Sequence, residues 1–343
     1  MALPRVTAVP AAGRSWQQEL AQAITDPCDL LHELDLPQSW LTQVRAASRH
    51  FPLKVTRSYL EQIRRGDPHD PLLRQIFPVG AELQALPGFV DDPVGDRPAL
   101  VTAGLVHKYH GRVLLITTGA CAIHCRYCFR RHFPYAANAS LGRQWPNILN
   151  HVRTHREIRE VILSGGDPMV LSDRRLQQLY RDLNSVEHVN TIRIHSRLPV
   201  VLPSRVTPEL LTLLRTSTTA TVYVVHVNHP RELSTAARQA LTLLATTVRG
   251  IYNQSVLLRG VNDDPDVLIE LSQELFSLGI QPYYLHLLDR VAGAAHFEVP
   301  RQRVRDIYRQ LLARLPGYLV PRLVRETPGS EAKEPWPGSD DAV

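Results

Sequence analysis

The chain has 343 residues, 44% of them hydrophobic, with 39 Lys and Arg against 33 Asp and Glu for a net charge of +6. That length allows one barrel-sized domain with an extension, or two ordinary domains, and the composition fits a soluble globular protein. The mild basic excess, with no aromatic-interleaved basic motif, argues against stable nucleic-acid binding, and no run approaches the roughly 18 apolar residues of a membrane span.

In chain order, residues 1–100 read as a mainly helical, loop-rich extension. PRVTAVPAAG (4–13) is a flexible start without the apolar core of a signal peptide, so a cytoplasmic location is expected. SWQQELAQAI (15–24) and QSWLTQVRAASRH (38–50) have helical periodicity. Pro and Gly punctuate residues 77–98, which predicts an irregular segment packed on a larger body. From there β-branched runs alternate with amphipathic stretches. The predicted strands are 112–118, 159–164, 190–196, 221–227, 251–258 and 281–288. The predicted helices are 146–157, 172–186, 208–215, 231–246, 265–278 and 301–314. Such alternation predicts an α/β fold with βα units and a parallel sheet. Right-handed crossovers would curl that sheet into a partial barrel, with a seventh run, 318–324, closing one side. Alternation alone does not separate this from an open doubly wound sheet.

Three of the four cysteines, Cys121, Cys125 and Cys128, fall in the run CAIHCRYC. Soft thiolates at this spacing are metal-ligand arithmetic rather than a disulfide framework. A zinc site would recruit a fourth ligand such as His124 or His132, whereas a four-iron cluster on three thiolates keeps one iron open. Cys28 stands apart and is expected to be a partly buried free thiol. Clustered thiols suit a reducing cytoplasm.

Other candidates fall where barrel chemistry belongs, at or beyond the C-terminal ends of the predicted strands. Ser164, Gly165, Gly166 and Asp167 follow the second strand, and the two glycines let a backbone approach a ligand closely. His226 ends the fourth strand, Gln254 lies in the fifth, Asp289 follows the sixth, and Glu326 and Lys333 follow the seventh run. Arg130 and Arg131 follow the cysteines. A guanidinium there could hold a carboxylate bidentately, or both could merely balance the thiolates. Lys333 follows a Pro-Gly turn and is either a pyridoxal phosphate (PLP) lysine or an exposed tail lysine.

The C-x3-C-x2-C spacing, with an aromatic residue before the last cysteine, resembles the signature of the radical S-adenosylmethionine (SAM) enzymes. That resemblance favours the partial (β/α)6 barrel and a SAM-binding role for the SGGDP loop through Ser164 and Asp167. CAIHCRYCFRRHF, LSGGDP, VVLPSRVTPEL, NHPREL, NQSVLLRGVNDD and PYYLHLLDRVAGAAHF together resemble lysine 2,3-aminomutases, over about residues 95–335. The smaller bacterial type that supplies β-lysine for elongation factor P is the more similar. The resemblance implies a barrel over 101–315, a C-terminal PLP segment over 316–343, and three cofactors: a 4Fe-4S cluster, SAM and PLP. It assigns the cluster to Cys121, Cys125 and Cys128. His226 and Gln254 go to the SAM site, and Arg112 and Lys333 to PLP. Arg130 is assigned to the substrate carboxylate, and Asp289 and Glu326 to a substrate ammonium. L-lysine is the implied substrate, with a reductant such as flavodoxin and a functional link to elongation factor P and its lysyl-transferring enzyme. Three departures stand out. The loop before Lys333 reads Pro328-Gly329-Ser330-Glu331-Ala332 rather than all glycine, Glu326 replaces an Asp, and few residues follow Lys333, so a monomer or dimer is expected. The competing readings are another radical SAM enzyme, acting on RNA or a peptide, and a zinc-stabilised nucleic-acid-binding module.

Overall fold

The computed structural model describes residues 15–138 and 142–336; the expected flexible start, 4–13, lies outside them. Short helices come first: α1 (Trp16–Ala21), α2 (Pro27–Glu33), α3 (Leu41–His50), α4 (Arg57–Leu60) and α5 (Pro71–Arg74). One 10-stranded sheet follows, its strands in chain order. They are β1 (Leu100–Thr102), β2 (Leu105–Tyr109), β3 (Arg112–Thr118), β4 (Glu160–Gly165), β5 (Thr191–Ser196), β6 (Ala220–Val225), β7 (Gly250–Val256), β8 (Gln281–His286), β9 (Arg322–Arg325) and β10 (Glu334–Pro335). Pairing is parallel from β3 to β9, with β1 and β2 antiparallel at one edge and β10 antiparallel at the other.

The crossovers carry α6 (Trp145–Thr154), α7 (Asp173–Asn184), α8 (Leu198–Val201), α9 (Pro208–Thr216), α10 (Thr235–Ala245), α11 (Pro265–Ser277) and α12 (Arg301–Arg314). Side chains set several starts. Ser172, Thr207, Ser234 and Asp264 each accept a backbone N–H of the first turn, and Pro208 and Pro265 enter with φ already helical. Capping by Ser234 moves the start of α10 to Thr235, because residues 230–232 form a separate 3-10 turn. The parallel strands from β3 to β8 lie within two residues of their predicted bounds. The run 318–324 does not. It opens as a 3-10 turn over Gly317–Leu319, becomes strand only at Arg322, and is flanked by β10 rather than left as an edge.

Strand periodicity places the site. Along β5, Arg193, His195 and Ser196 border an open cavity of about 700 Å³, while Ile192 and Ile194 are buried away from it. Residues of β3 and of β9 border that same cavity, so the sheet curls on itself. Its two ends meet through an ion pair, Lys108 of β2 contacting Glu326 just after β9 at 3.2 Å. The helical extension is no separate layer: Trp16, Leu30 and Leu31 belong to the same apolar cluster as Leu115, Leu163 and Ile194. Val90 of the irregular segment exchanges backbone hydrogen bonds with Arg290 and Ala292, which anchors the strap that carries Asp96.

Candidate active site

The residues assigned a role from the sequence border this one cavity, from Arg112, Cys121, Cys125, Cys128 and Arg130 to Asp289, Glu326 and Lys333, whereas Cys28 and His132 do not. At one end lies the cysteine loop, held from behind by the helical extension. Glu82, 1% exposed at its side chain, accepts from Arg126 Nε at 2.9 Å and Nη2 at 2.5 Å, and from Arg131 Nη2 at 2.6 Å. Backbone bonds from Arg126 N to Gln75 O (2.8 Å) and from His124 N to Lys54 O (2.9 Å) complete the clamp. Arg131 is thus a structural partner of Glu82. The thiols are free. Burial, then Cys128 and Asp167, pushes the Cys121 thiol well up; burial, then Cys125, pushes Cys128 to about 11. A metal bound by these thiols would displace their protons.

The SGGDP loop abuts the cysteine loop. Gly165 has φ +117, and a Cβ on it would lie 2.6 Å from Thr118 O; one on Gly166 would collide with Ala120 O. Both glycines are demanded by backbone meeting backbone, with Gly166 N and Asp167 N donating to Thr118 O and Ala120 O at 2.7 and 2.8 Å. The Asp167 carboxylate ties two loops together, accepting from Met169 N at 3.0 Å and Arg197 N at 2.8 Å. Burial nevertheless raises it to about 6. His226 is kept neutral by burial and by Arg197, and its Nε2 lies 2.9 Å from the Tyr127 hydroxyl.

At the other end a chain of alternating charges crosses the seam of the sheet. Ser164 Oγ accepts from Arg130 Nη1 at 2.9 Å, and Arg130 Nε donates to Asp96 at 2.7 Å. Asp96 pairs with Lys108 at 2.6 Å, Lys108 with Glu326, and Glu326 with Lys333. Burial opposes the charge on Glu326, but Lys333 and Lys108 hold its carboxyl down at about 2. Asp289 is the opposite case. Burial and the charge of Glu326 raise it to about 7, despite Lys333 and Lys108. The same environment keeps His286 neutral, burial and Lys333 lowering it to about 3.

Asp96, Lys108, His195, Arg197 and His286 were not anticipated. His195 and Arg197 carried only the faint signal of their place, at and just beyond the end of the predicted strand 190–196. Asp96 carried none, since it lies in irregular backbone brought to the cavity by the strap. His195 Nε2 is buried in the cavity wall with no partner among the described residues.

The chain is 45% identical to L-lysine 2,3-aminomutase of Escherichia coli, across 93% of this chain and 94% of that one. It is 43% identical to the Haemophilus influenzae protein of that name, across 93% and 95%. The chain belongs to the L-lysine 2,3-aminomutase family. The longer Clostridium subterminale aminomutase is 34% identical, with 77% of its length covered. No protein-family model matches. Among solved structures, a radical SAM methyltransferase from Sphaerobacter thermophilus aligns with 64% of this chain and 68% of its own, at 19% identity and a TM-score of 0.45.

Membership of the aminomutase family implies SAM and a 4Fe-4S cluster. The donor set fits: three free thiols border the cavity on one short loop. Among the described residues, no three His, Cys, Asp or Glu side chains are grouped to hold a single metal ion. Soft thiolates on one loop are the donors that an iron–sulfur cluster would take. Among the described residues no helix is long and apolar enough to cross a membrane.

Proposed function

We propose that this chain is a lysine 2,3-aminomutase, converting L-α-lysine to β-lysine by a SAM-derived radical with PLP, and that its product serves modification of elongation factor P. We place it in the cytoplasm, reduced by a flavodoxin-type donor. One observation carries the reading: thiols, an arginine, a lysine and two acids all border one cavity. When bound, the cluster and SAM supply the radical, and PLP carries the migrating amino group.

The protein's own part is positioning. Cys121, Cys125 and Cys128 hold the cluster, and Ser164, Gly165, Gly166, Asp167, His226 and Gln254 form the SAM wall. Arg112 and Lys333 hold PLP, for which the unpartnered His195 Nε2 in the same wall is a fitting contact. Arg130, its Nε fixed by Asp96, presents its guanidinium edge to the substrate carboxylate. Asp289 and Glu326 demand a cationic far end, which selects lysine over an acidic amino acid. Glu326 is paired with Lys333 and Lys108, so it is released for substrate only when Lys333 is engaged elsewhere. The chain divides, in this reading, into the extension 1–100, the barrel 101–315 and the PLP segment 316–343.

The test is anaerobic incubation of the reconstituted chain with SAM, PLP, reductant and L-lysine, followed by chromatography for β-lysine. Formation of β-lysine is expected, and absence of any product in a fully reconstituted sample overturns the reading. Borohydride trapping should fix PLP on Lys333, located by peptide mass, and Lys333→Ala should abolish both trapping and turnover. Trapping on another lysine would remove Lys333 from this role.

A further inference from the structure

Behind Cys125 lies a buried charge that the reading above does not use. Arg197 follows β5, and its side chain is 6% exposed. Nη2 donates to Glu232 Oε2 and to Gln75 Oε1, both at 2.7 Å. Nη1 donates to the Tyr127 hydroxyl at 2.9 Å and to Cys125 Sγ at 2.7 Å. Nε has no partner among the described residues although it is buried. The guanidinium cannot swing away. Its backbone N–H is held by Asp167, and Glu232 is itself fixed by Gln75 Nε2 and by the N–H groups of Asn228 and His229, each at 3.0 Å.

A buried ion pair is a poor device for stability alone, since the desolvation it costs offsets most of its attraction. The Arg197–Glu232 pair, moreover, directs one N–H at a cysteine sulfur and leaves another without an acceptor beside the cavity. Both features are accounted for by an electron-rich group at Cys125. A cluster on three thiolates gains a further negative charge on reduction. A fixed cation and an N–H on a ligand sulfur stabilise that reduced form more than the oxidised one, and low local dielectric strengthens the effect.

We propose that Arg197 is a positioning residue for the iron–sulfur cluster, donating to the Cys125 thiolate so that the cluster accepts its electron at a less negative potential. This rests on Cys125 being a cluster ligand, as in the function proposed above.

The test uses the full chain, reconstituted anaerobically with iron and sulfide, and two variants. Arg197→Lys keeps the charge but loses the fork, and the double variant Arg197→Gln with Glu232→Gln removes both charges together, so that neither is left buried without its partner. Iron content, circular dichroism and a dithionite titration followed by electron paramagnetic resonance are measured without lysine. The double variant is expected to take up as much iron as the parent. At a given potential its reduced-to-oxidised ratio should fall about tenfold, equivalent to about 59 mV for a one-electron couple. Arg197→Lys should fall between. Variants that hold the cluster and titrate with the parent overturn the proposal, and so does loss of folded structure in both, which would make Arg197 a structural ion pair. A parent chain that takes up no iron removes the cluster reading and this inference together. Failure to form β-lysine in a chain that holds its cluster counts against the enzymatic function and not against Arg197.

Discussion

The two ends of the cavity are built on opposite principles. At the cysteine end the charges are fully enclosed, Arg126 being 0% and Glu82 1% exposed, and the groups they hold come from distant parts of the chain. At the lysine end the Lys333–Glu326 pair stays partly open to the cavity, with Lys333 22% and Glu326 17% exposed, so in the proposed function it is the pair that substrate can exchange. A cluster site must be rigid because thiolates need fixed spacing. A site that admits and releases a zwitterion must leave its charges within reach of water and of one another. The difference teaches that charge burial separates the clamp behind the cysteine loop from the Lys333–Glu326 pair, while Arg130 and Asp96 between them stay 7% and 4% exposed.

Breaking the enclosed end should have the largest effect. Glu82→Gln leaves Arg126 and Arg131 as poorly compensated buried cations and is expected to destabilise the chain by about 3–5 kcal/mol, measured from urea unfolding. Iron uptake should fall with it; an unchanged urea midpoint would show that the clamp is not what holds the loop. Gly166→Ala comes next. Its methyl would drive into Ala120 O, so the SGGDP and cysteine loops must part, at about 1–3 kcal/mol. Normal stability and iron content in that variant would contradict the close approach of the two loops.

The smallest effect belongs to the open end and concerns binding. Asp289 is raised to about 7, so near neutrality it is half protonated in the absence of substrate. A substrate ammonium requires the carboxylate. Lysine affinity should therefore rise with pH between 6 and 8, by up to about tenfold per unit on the acid side of 7. The stability sign is opposite. The native chain holds on Asp289 a proton that the unfolded chain releases above pH ~4, so stability falls as pH rises from there toward 7. Asp289→Asn should flatten both dependences while lowering lysine affinity, as calorimetric titration and urea midpoints across pH would report. A pH-independent affinity in the parent chain would place the ammonium elsewhere.

Much of this could be read in the chain itself. β-branched runs alternating with capped amphipathic stretches specify βα units locally, and the bounds of the parallel strands from β3 to β8 agree with the structure. The C-x3-C-x2-C run and the strand-end positions of Asp167, His226 and Asp289 identified one face of the barrel, because a residue's place beyond a strand end is local information. The expectation missed β1, β2 and β10, whose two to five residues are too short for a periodic signal and are stabilised by pairing with longer neighbours.

Other features were decided only in three dimensions. That Glu82 clamps the cysteine loop depends on contacts 44 and 49 residues apart in sequence. That Lys108 occupies one oxygen of Glu326 depends on the two ends of the sheet meeting, 218 residues apart. The contacts of Asp96 and Arg197 likewise exist only once the strap and the β5 end are packed against the cavity. Local sequence determines which residues make strands and which thiols cluster, since backbone propensity and spacing act over a few residues. Which charge faces which, and so which acid is held ionised and which is raised, is set by burial and by partners that only the closed sheet brings together.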